Sequence, residues 1–564
     1  MSKKVIVIGG GVAGMSAAHE LIERGFSVEV YEKQPVYVGG KARSVDVPGT
    51  GTKDTEPLPG EHGFRFFPGF YRHITDTMKR IPFKGNKNGV FDNLVPTQRV
   101  MMARFDKPPI INIVNFPKSL KDLKVLLDAL RDPGTGLTQE DTRVFAEKLW
   151  QLMTSSFERR NWDYERIAWW DFTDAANQSE AYRQYFVGGI TRTLVAAKPK
   201  EVSTKTGGDI LLQLLFLMGD PAAHADRVLN GPTNEAWLYP WRDYLLEKGV
   251  KYFHHHEATG IHCENKDITG VTFRTKDGNE ITAKGDYYIS ALPVERMSEL
   301  LDKNMLVADP TLQYIKDLSP GTAWMTGIQY YLNEDIKMTQ GHVMYTDSPW
   351  ALTSISQLQF WKDFDIKKHG NGEVKGIISV DISDWNTPGL NGKCAKDCTR
   401  EEIKTETWEQ LKKSLVVEGQ CLLSDDMMVD WYLDRDIVTD KEFKTINEEP
   451  LLVNKVNTWA LRPEAHTNIN NFVLASDYVR TYTDLATMEG ANEAARRAVN
   501  TIIERSGANL PLCEIWHLHE PGVLSIPRNH DLKRFKKGLP WKKSFPWHVN
   551  LLHKLNYTFS KLLS

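Results

Sequence analysis

Two clusters hold the residue types that chemistry needs. The stretch GEHGFRFFPGFY, Gly60–Tyr71, sets the carboxylate of Glu61, the imidazole of His62 and the permanent cation of Arg65 among five aromatic rings and three glycines. So many polar and aromatic groups in twelve residues mark the loop as built to touch a ligand. The second cluster is GGGVAGM near the N-terminus, where Gly9, Gly11 and Gly14 keep the G-x-G-x-x-G spacing. That spacing permits a tight turn, a close backbone approach to a pyrophosphate and close packing of helix on strand.

The elements that must position these residues follow from periodicity. KKVIVIG reads as a short apolar strand, VAGMSAAHELIERG as a helix and FSVEVYEK as a second strand, a βαβ unit with the glycines between strand and helix. A phosphate would rest on the helix N-terminus beside Ala13, and Glu32, closing the second strand ahead of Lys33, can accept both ribose hydroxyls of an adenosine. KQPVYVGGKARS then offers another turn at Gly39 and Gly40, with Lys41, Arg43 and Ser44 able to reach phosphate oxygens. A second phosphate grip suits the extended FAD. Far downstream, NFVLASDYVRTYTDLATMEGANEA gives a strand at Phe472–Ala475, an acid at Asp477, a short loop and an alanine-rich helix entered near Met488.

With these three motifs in view, the chain resembles the FAD-dependent desaturases of the phytoene and ζ-carotene desaturase type, hydroxysqualene dehydroxylases included, within the flavin amine-oxidase superfamily. The N-terminal motif resembles the family's ADP-binding region, LASDYVRTYTDLATMEGA its C-terminal pattern, and GEHGFRFFPGFY its E-x-G-x-H-x-x-F-G-x-Y loop. The resemblance implies an α/β fold: a Rossmann-like, GR2-type FAD-binding domain interleaved with a mixed α+β substrate-binding domain. The first would comprise 1–75, 235–300 and 455–505, the second 76–234 and 301–454, with a basic, aromatic tail at 506–564. It also implies that Glu61, His62, Gly63 and Phe64 line the isoalloxazine and that backbone near Ala258 meets the adenine. Asp477 would bond the ribityl or pyrophosphate side, and amides near Met488 would face the N1/O2 edge. Arg65 stands where the family has histidine, and Ser476 where it has glycine. A fixed cation beside the flavin makes Arg65 the candidate catalytic residue.

Composition excludes other classes. At 564 residues the chain exceeds the roughly 250–300 at which one core stops growing. With 41% hydrophobic residues and a net charge of −3 it has no basic excess for nucleic acid. Five cysteines cannot make a disulfide framework, which together with the N-terminal strand suggests a cytoplasmic protein. His254–His256, read as part of a strand, would point alternately and not share a metal, and Cys394 and Cys398 lack zinc spacing. No metal site is expected. ILLQLLFLMG is interrupted by Gln213 and is shorter than the about 20 residues of a membrane span. The tail from Asp531 reads equally as an interfacial membrane anchor or as a solvated tail or strap packed on the FAD domain.

The expected chemistry is hydride transfer from an apolar, isoprenoid or lipid-like substrate to flavin N5, leaving a C=C bond. No second dinucleotide motif follows a strand, so electrons would leave to an acceptor such as quinone or oxygen. The rings of Trp162, Tyr164, Trp169, Trp170, Phe172, Tyr182, Tyr185 and Phe186 read as a substrate pocket or as plain core. Amine oxidation, non-redox double-bond isomerisation and dehydroxylation of a squalene-type alcohol are alternatives on the same scaffold.

Overall fold

The structure, a computed structural model, describes residues 2–113, 133–189, 197–218, 224, 226–417, 419–442, 444–543 and 549. Five parallel strands carry the nucleotide motif, in spatial order Phe472–Leu474, Tyr287–Ser290, Lys4–Ile8, Ser27–Tyr31 and Lys251–Phe253. Val5 to Ile8 are wholly buried without alternation, as in a parallel sheet covered by packed elements. The helices Val12–Glu23 and Met488–Ser506 pack on each other. The antiparallel meander of Glu257–Glu264, Asp267–Arg274 and Glu280–Ala283 joins the same core, with Phe273 stacked on Tyr31 at 4.2 Å.

Between these segments the chain builds a second, seven-stranded sheet. Its order is Met428–Leu433, Thr326–Leu332, Gly376–Ile382, Thr353–Ser356, Gly341–Tyr345, Arg99–Arg104 and Lys107–Ile113, all antiparallel save one pair. Ile328, Tyr330, Val380 and Ile382 form the centre of its core. Residues beyond 300 depart from the expected division: Leu301, Met305, Leu312, Ile315 and Leu318 pack into the core of the five-stranded sheet, as do Met78 and Ile81. Apolar faces of short helices, not sequence distance, decide which core they join.

The aromatic run is core. Trp169, Tyr182 and Phe172 belong to a separate cluster in which Phe145 stacks on Phe186 at 4.3 Å. Trp162 is 58% exposed under the Arg166 guanidinium. The histidines also differ from the sequence reading: the strand ends at Phe253, and His255 turns with φ +57°. His254 and His256 bond through Nδ1 to the carbonyls of Gln34 and His254.

The described part of the tail is a strap. Trp516 N–H donates to His73 Nε2 at 2.9 Å, and Gln213 exchanges two bonds with His519 at 2.9 and 3.0 Å, which explains the polar residue in an apolar helix. The helix Ser525–Phe535 places Asp531 against Arg159 with contacts of 2.9 and 3.0 Å. Most of the basic, aromatic segment beyond 543 lies outside the described residues.

Candidate functional site

A cavity opens beyond the carboxyl ends of the parallel strands, where Ile8 leads to Gly9, Tyr31 to Glu32, Ser290 to Ala291 and Leu474 to Asp477. This is the general position of ligand sites in such sheets. Gly9, Gly11, Ala13, Glu32, Lys33, Gly40, Lys41, His62, Gly63, Phe64, Arg65, Ala258, Asp477 and Met488 all line it.

Its nucleotide end is a backbone cradle. Gly14 stands behind the wall, where a Cβ would lie 2.0 Å from the Gly9 carbonyl oxygen, so the helix packs this closely only without a side chain. Gly39 N–H donates to Gly10 O at 3.1 Å, stitching the two glycine turns together. Gly40, at φ +57°, brings its backbone so near that a Cβ would lie 3.1 Å from Gly11 Cα. Glu32 is held by the Gly10 and Gln34 amides at 2.7 and 2.8 Å. Ser476 keeps φ outside the left-handed region, so it is accommodated where glycine was expected. Across the cavity, Thr487 caps the 19-residue helix Met488–Ser506 by accepting from Gly490 N at 3.2 Å, and the positive end of the helix faces inward.

Three expected ligands are turned elsewhere. The Arg43 guanidinium, 1% exposed, pairs with Asp436 and, at 2.9 Å, with Glu449. Two buried carboxylates hold this cation more strongly than an open phosphate site would. Ser44 Oγ accepts the Asn234 amide at 2.9 Å. Glu61 lies behind the wall, where its oxygens accept from Thr233 N at 2.9 Å and Thr233 Oγ1 at 2.7 Å. Burial pushes its carboxyl up to about 7, with Arg65 and Thr233 opposing. Lys41 does line the cavity, with its ammonium 3.0 Å from Glu295.

The loop brings His62 and Arg65 to the other end. His62 Nδ1 lies 2.9 Å from Asp434 Oδ2, and its Nε2 is buried without a partner. Burial favours a neutral Asp434, yet His62 and Arg43 hold it below the usual carboxylate range. Donor atoms of His62, Asp434 and Asp436 lie within 4.8 Å of one another, but Arg43 already supplies the cation of that cluster. Arg65 donates to the carbonyls of Ala42 and Lys41 at 3.2 and 2.7 Å, so it braces the second glycine turn while bordering the cavity. Phe64, Phe66, Tyr71, Met325 and Leu451 supply the apolar wall, a role the upstream aromatic run does not have.

Asp381 also lines the cavity, and sequence reasoning missed it. Burial raises its carboxyl to about 6 against the pull of Arg65, His62, His342 and the Phe64 amide. An isolated aspartate in a strand gives no local signal.

The family model of flavin containing amine oxidoreductases matches residues 12–503. The chain belongs to that family. It is 23% identical over 542 residues to the ζ-carotene desaturase of Synechocystis sp., covering 89% of this chain and 97% of that protein. It is 36% identical over 564 residues to the chloroplastic/chromoplastic ζ-carotene desaturase of Arabidopsis thaliana, covering 89% and 85%. Among solved structures, cyclohexylamine oxidase from Brevibacterium oxydans has the same fold, with TM-score 0.58 and 14% identity over 90% of this chain and all of that one. The protein is therefore a flavin-dependent oxidoreductase, and FAD is its cofactor. The cradle fits it: paired glycine turns without side chains, Glu32 at the ribose position and a capped helix N-terminus at the far end.

Proposed function

We propose that the protein desaturates an apolar, isoprenoid or other lipid-like substrate. The observation that carries this reading is the far wall of the cavity, built from Phe64, Phe66, Tyr71, Met325 and Leu451 with Arg65 as its bordering cation. An apolar wall suits a hydrocarbon. The resemblance to desaturases along nearly the whole chain supports the same reading.

When bound, FAD supplies a hydride acceptor. The residues do the rest. Gly9, Gly11, Ala13, Glu32, Lys33, Gly40, Lys41 and Ala258 would hold the adenosine and pyrophosphate, while Asp477 and the amides at Met488 would meet the ribityl and ring end. His62, Gly63 and Phe64 border the ring from the loop. Arg65 keeps positive charge at this wall and fixes the Lys41–Ala42 carbonyls, a role for which fixed, preorganised charge is effective. Electrons then pass to an external acceptor such as quinone or oxygen.

No helix among the described residues is long and apolar enough to cross a membrane. An apolar substrate is most accessible at a bilayer, so we place the protein in the cytoplasm and peripherally on the membrane surface. Co-sedimentation with anionic vesicles tests this, and recovery of all protein in the supernatant would contradict it.

The decisive experiment is anaerobic incubation of the holoprotein with linear polyenes, acyl lipids and amines, followed by visible absorption. Bleaching of the flavin bands by a polyene or acyl lipid alone is the expected result. Bleaching by amines alone would make the protein an amine oxidase, and altered double-bond geometry without bleaching would make it an isomerase.

A further inference from the structure

Asp381 has no part in holding the nucleotide, yet the fold is shaped around it. It lies on the interior strand Gly376–Ile382, cross-strand from Gly327. The loop rests on this pair: Gly327 N–H donates to His62 O at 2.8 Å. A Cβ on Gly327 would lie 2.7 Å from Gly63 Cα, and one on Gly63 would lie 2.7 Å from Asp381 Oδ1. Two missing side chains thus let the loop settle onto the carboxylate at the cavity wall.

Asp381 Oδ1 is buried and has no hydrogen-bond partner. Buried carboxylate oxygens are almost always partnered, so an orphan on a cavity-lining residue calls for a functional account. The nearby rings do not neutralise it. His62 pairs with Asp434 and His342 with Asp226, while the Arg65 guanidinium is spent on two carbonyls. What remains is a carboxylate with a free lone pair beside an apolar wall.

We propose that Asp381 is the catalytic base of the desaturation, taking the proton from the substrate carbon next to the one that yields hydride. This rests on the desaturase reading above. In the balanced step, one C–H bond breaks with its electron pair, and hydrogen leaves as hydride to the flavin. The adjacent C–H bond breaks, its proton forms an O–H bond at Asp381 Oδ1, and its electron pair becomes the new C=C bond. The substrate is oxidised by two electrons, the flavin is reduced by two, and the proton passes later to water. A carboxyl raised to about 6 is ionised at neutral pH and still close enough to operating pH to accept a proton efficiently.

The test compares holoprotein of the wild type with Asp381→Asn, Asp381→Glu and His62→Gln from pH 5 to 9. Flavin content and the absorption shift of a bound linear conjugated polyene report integrity and binding, and anaerobic bleaching by that polyene reports the reaction. An infrared pH-difference spectrum reports the carboxyl directly. The expected result is a wild-type rate that rises through one ionisation near pH 6. Asp381→Asn should keep flavin and polyene binding, lose about 100-fold or more in bleaching rate, and lose both the acid limb and one carboxylic C=O band. Asp381→Glu should recover part of the rate. Bleaching by Asp381→Asn within about threefold of wild type, or an acid limb abolished by His62→Gln but kept in Asp381→Asn, would overturn this assignment alone. A wild type that binds but is never bleached by polyenes or acyl lipids would overturn the desaturase reading and this assignment with it.

Discussion

Gly63 sits against the Asp381 carboxylate so closely that any side chain would collide with it, a Cβ lying 2.7 Å from Oδ1. Gly63 does not use a left-handed φ, so its need for glycine comes from this contact and not from backbone strain. Gly63→Ala should therefore fold at a cost of about 1–3 kcal/mol, retain FAD, and lose turnover at least tenfold as the carboxylate is pushed aside. Flavin content, thermal midpoint and steady-state rate check this, and unchanged turnover would show that Asp381 can move without consequence.

Arg65 opposes the protonation of Asp381. Replacing it by glutamine removes the cation that favours the charged carboxylate, so the acid limb of the pH–rate profile should move upward by about one unit or more. Two donors to the Lys41 and Ala42 carbonyls are weakened in the same variant, so FAD should dissociate more readily. An unmoved limb would separate Arg65 from the titration of Asp381.

Glu61 gives a stability prediction with a definite sign. Its carboxyl is raised to about 7 when folded, against about 4.3 in an unfolded chain. The folded state therefore holds a proton that the unfolded state has lost between these values, and stability falls as pH rises from about 4.3 to about 7. Glu61→Gln cannot titrate. It should match wild type near pH 4 and exceed it at pH 8 by up to about 4 kcal/mol. Thermal midpoints of the holoprotein at both pH values measure the difference, which should be absent if Glu61 titrates normally.

Asp531 is 1% exposed and bonds both the Arg159 guanidinium and Ser156 N–H, the latter at 2.9 Å. Asp531→Ala leaves Arg159 with only Asp163 and the Leu539 carbonyl and leaves Ser156 N–H unpaired, at a cost of about 1–3 kcal/mol. The strap should then become sensitive to limited proteolysis beyond residue 507. A protease pattern identical to wild type would mean that Trp516 and His519 hold it unaided.

What the sequence disclosed was local. The strand, glycine turn, helix and Glu32 follow one another within a single unit, and the turn of the meander at Asn265 and Lys266 takes the positive φ values, +48° and +68°, of a two-residue hairpin, the first of which asparagine favours. Arg43 was misread because Asp436 and Glu449, which hold it, lie 393 and 406 residues away. Asp381 was missed for a related reason: only the pairing of its strand with Gly327 brings it under the loop. The rings between Trp162 and Phe186 were ambiguous because core and pocket draw on the same residue types.

The order of the parallel strands also governs how the molecule can be made. The edge strand Phe472–Leu474 and the helix Met488–Ser506 come after both excursions that build the second sheet. During synthesis the nascent chain presents Gly9, Gly11 and Glu32 early but lacks the opposite wall until Asp477 and Met488 have emerged. Cofactor capture must wait for that wall, and a ribosome stalled before Asp477 would hold a chain with half a binding site.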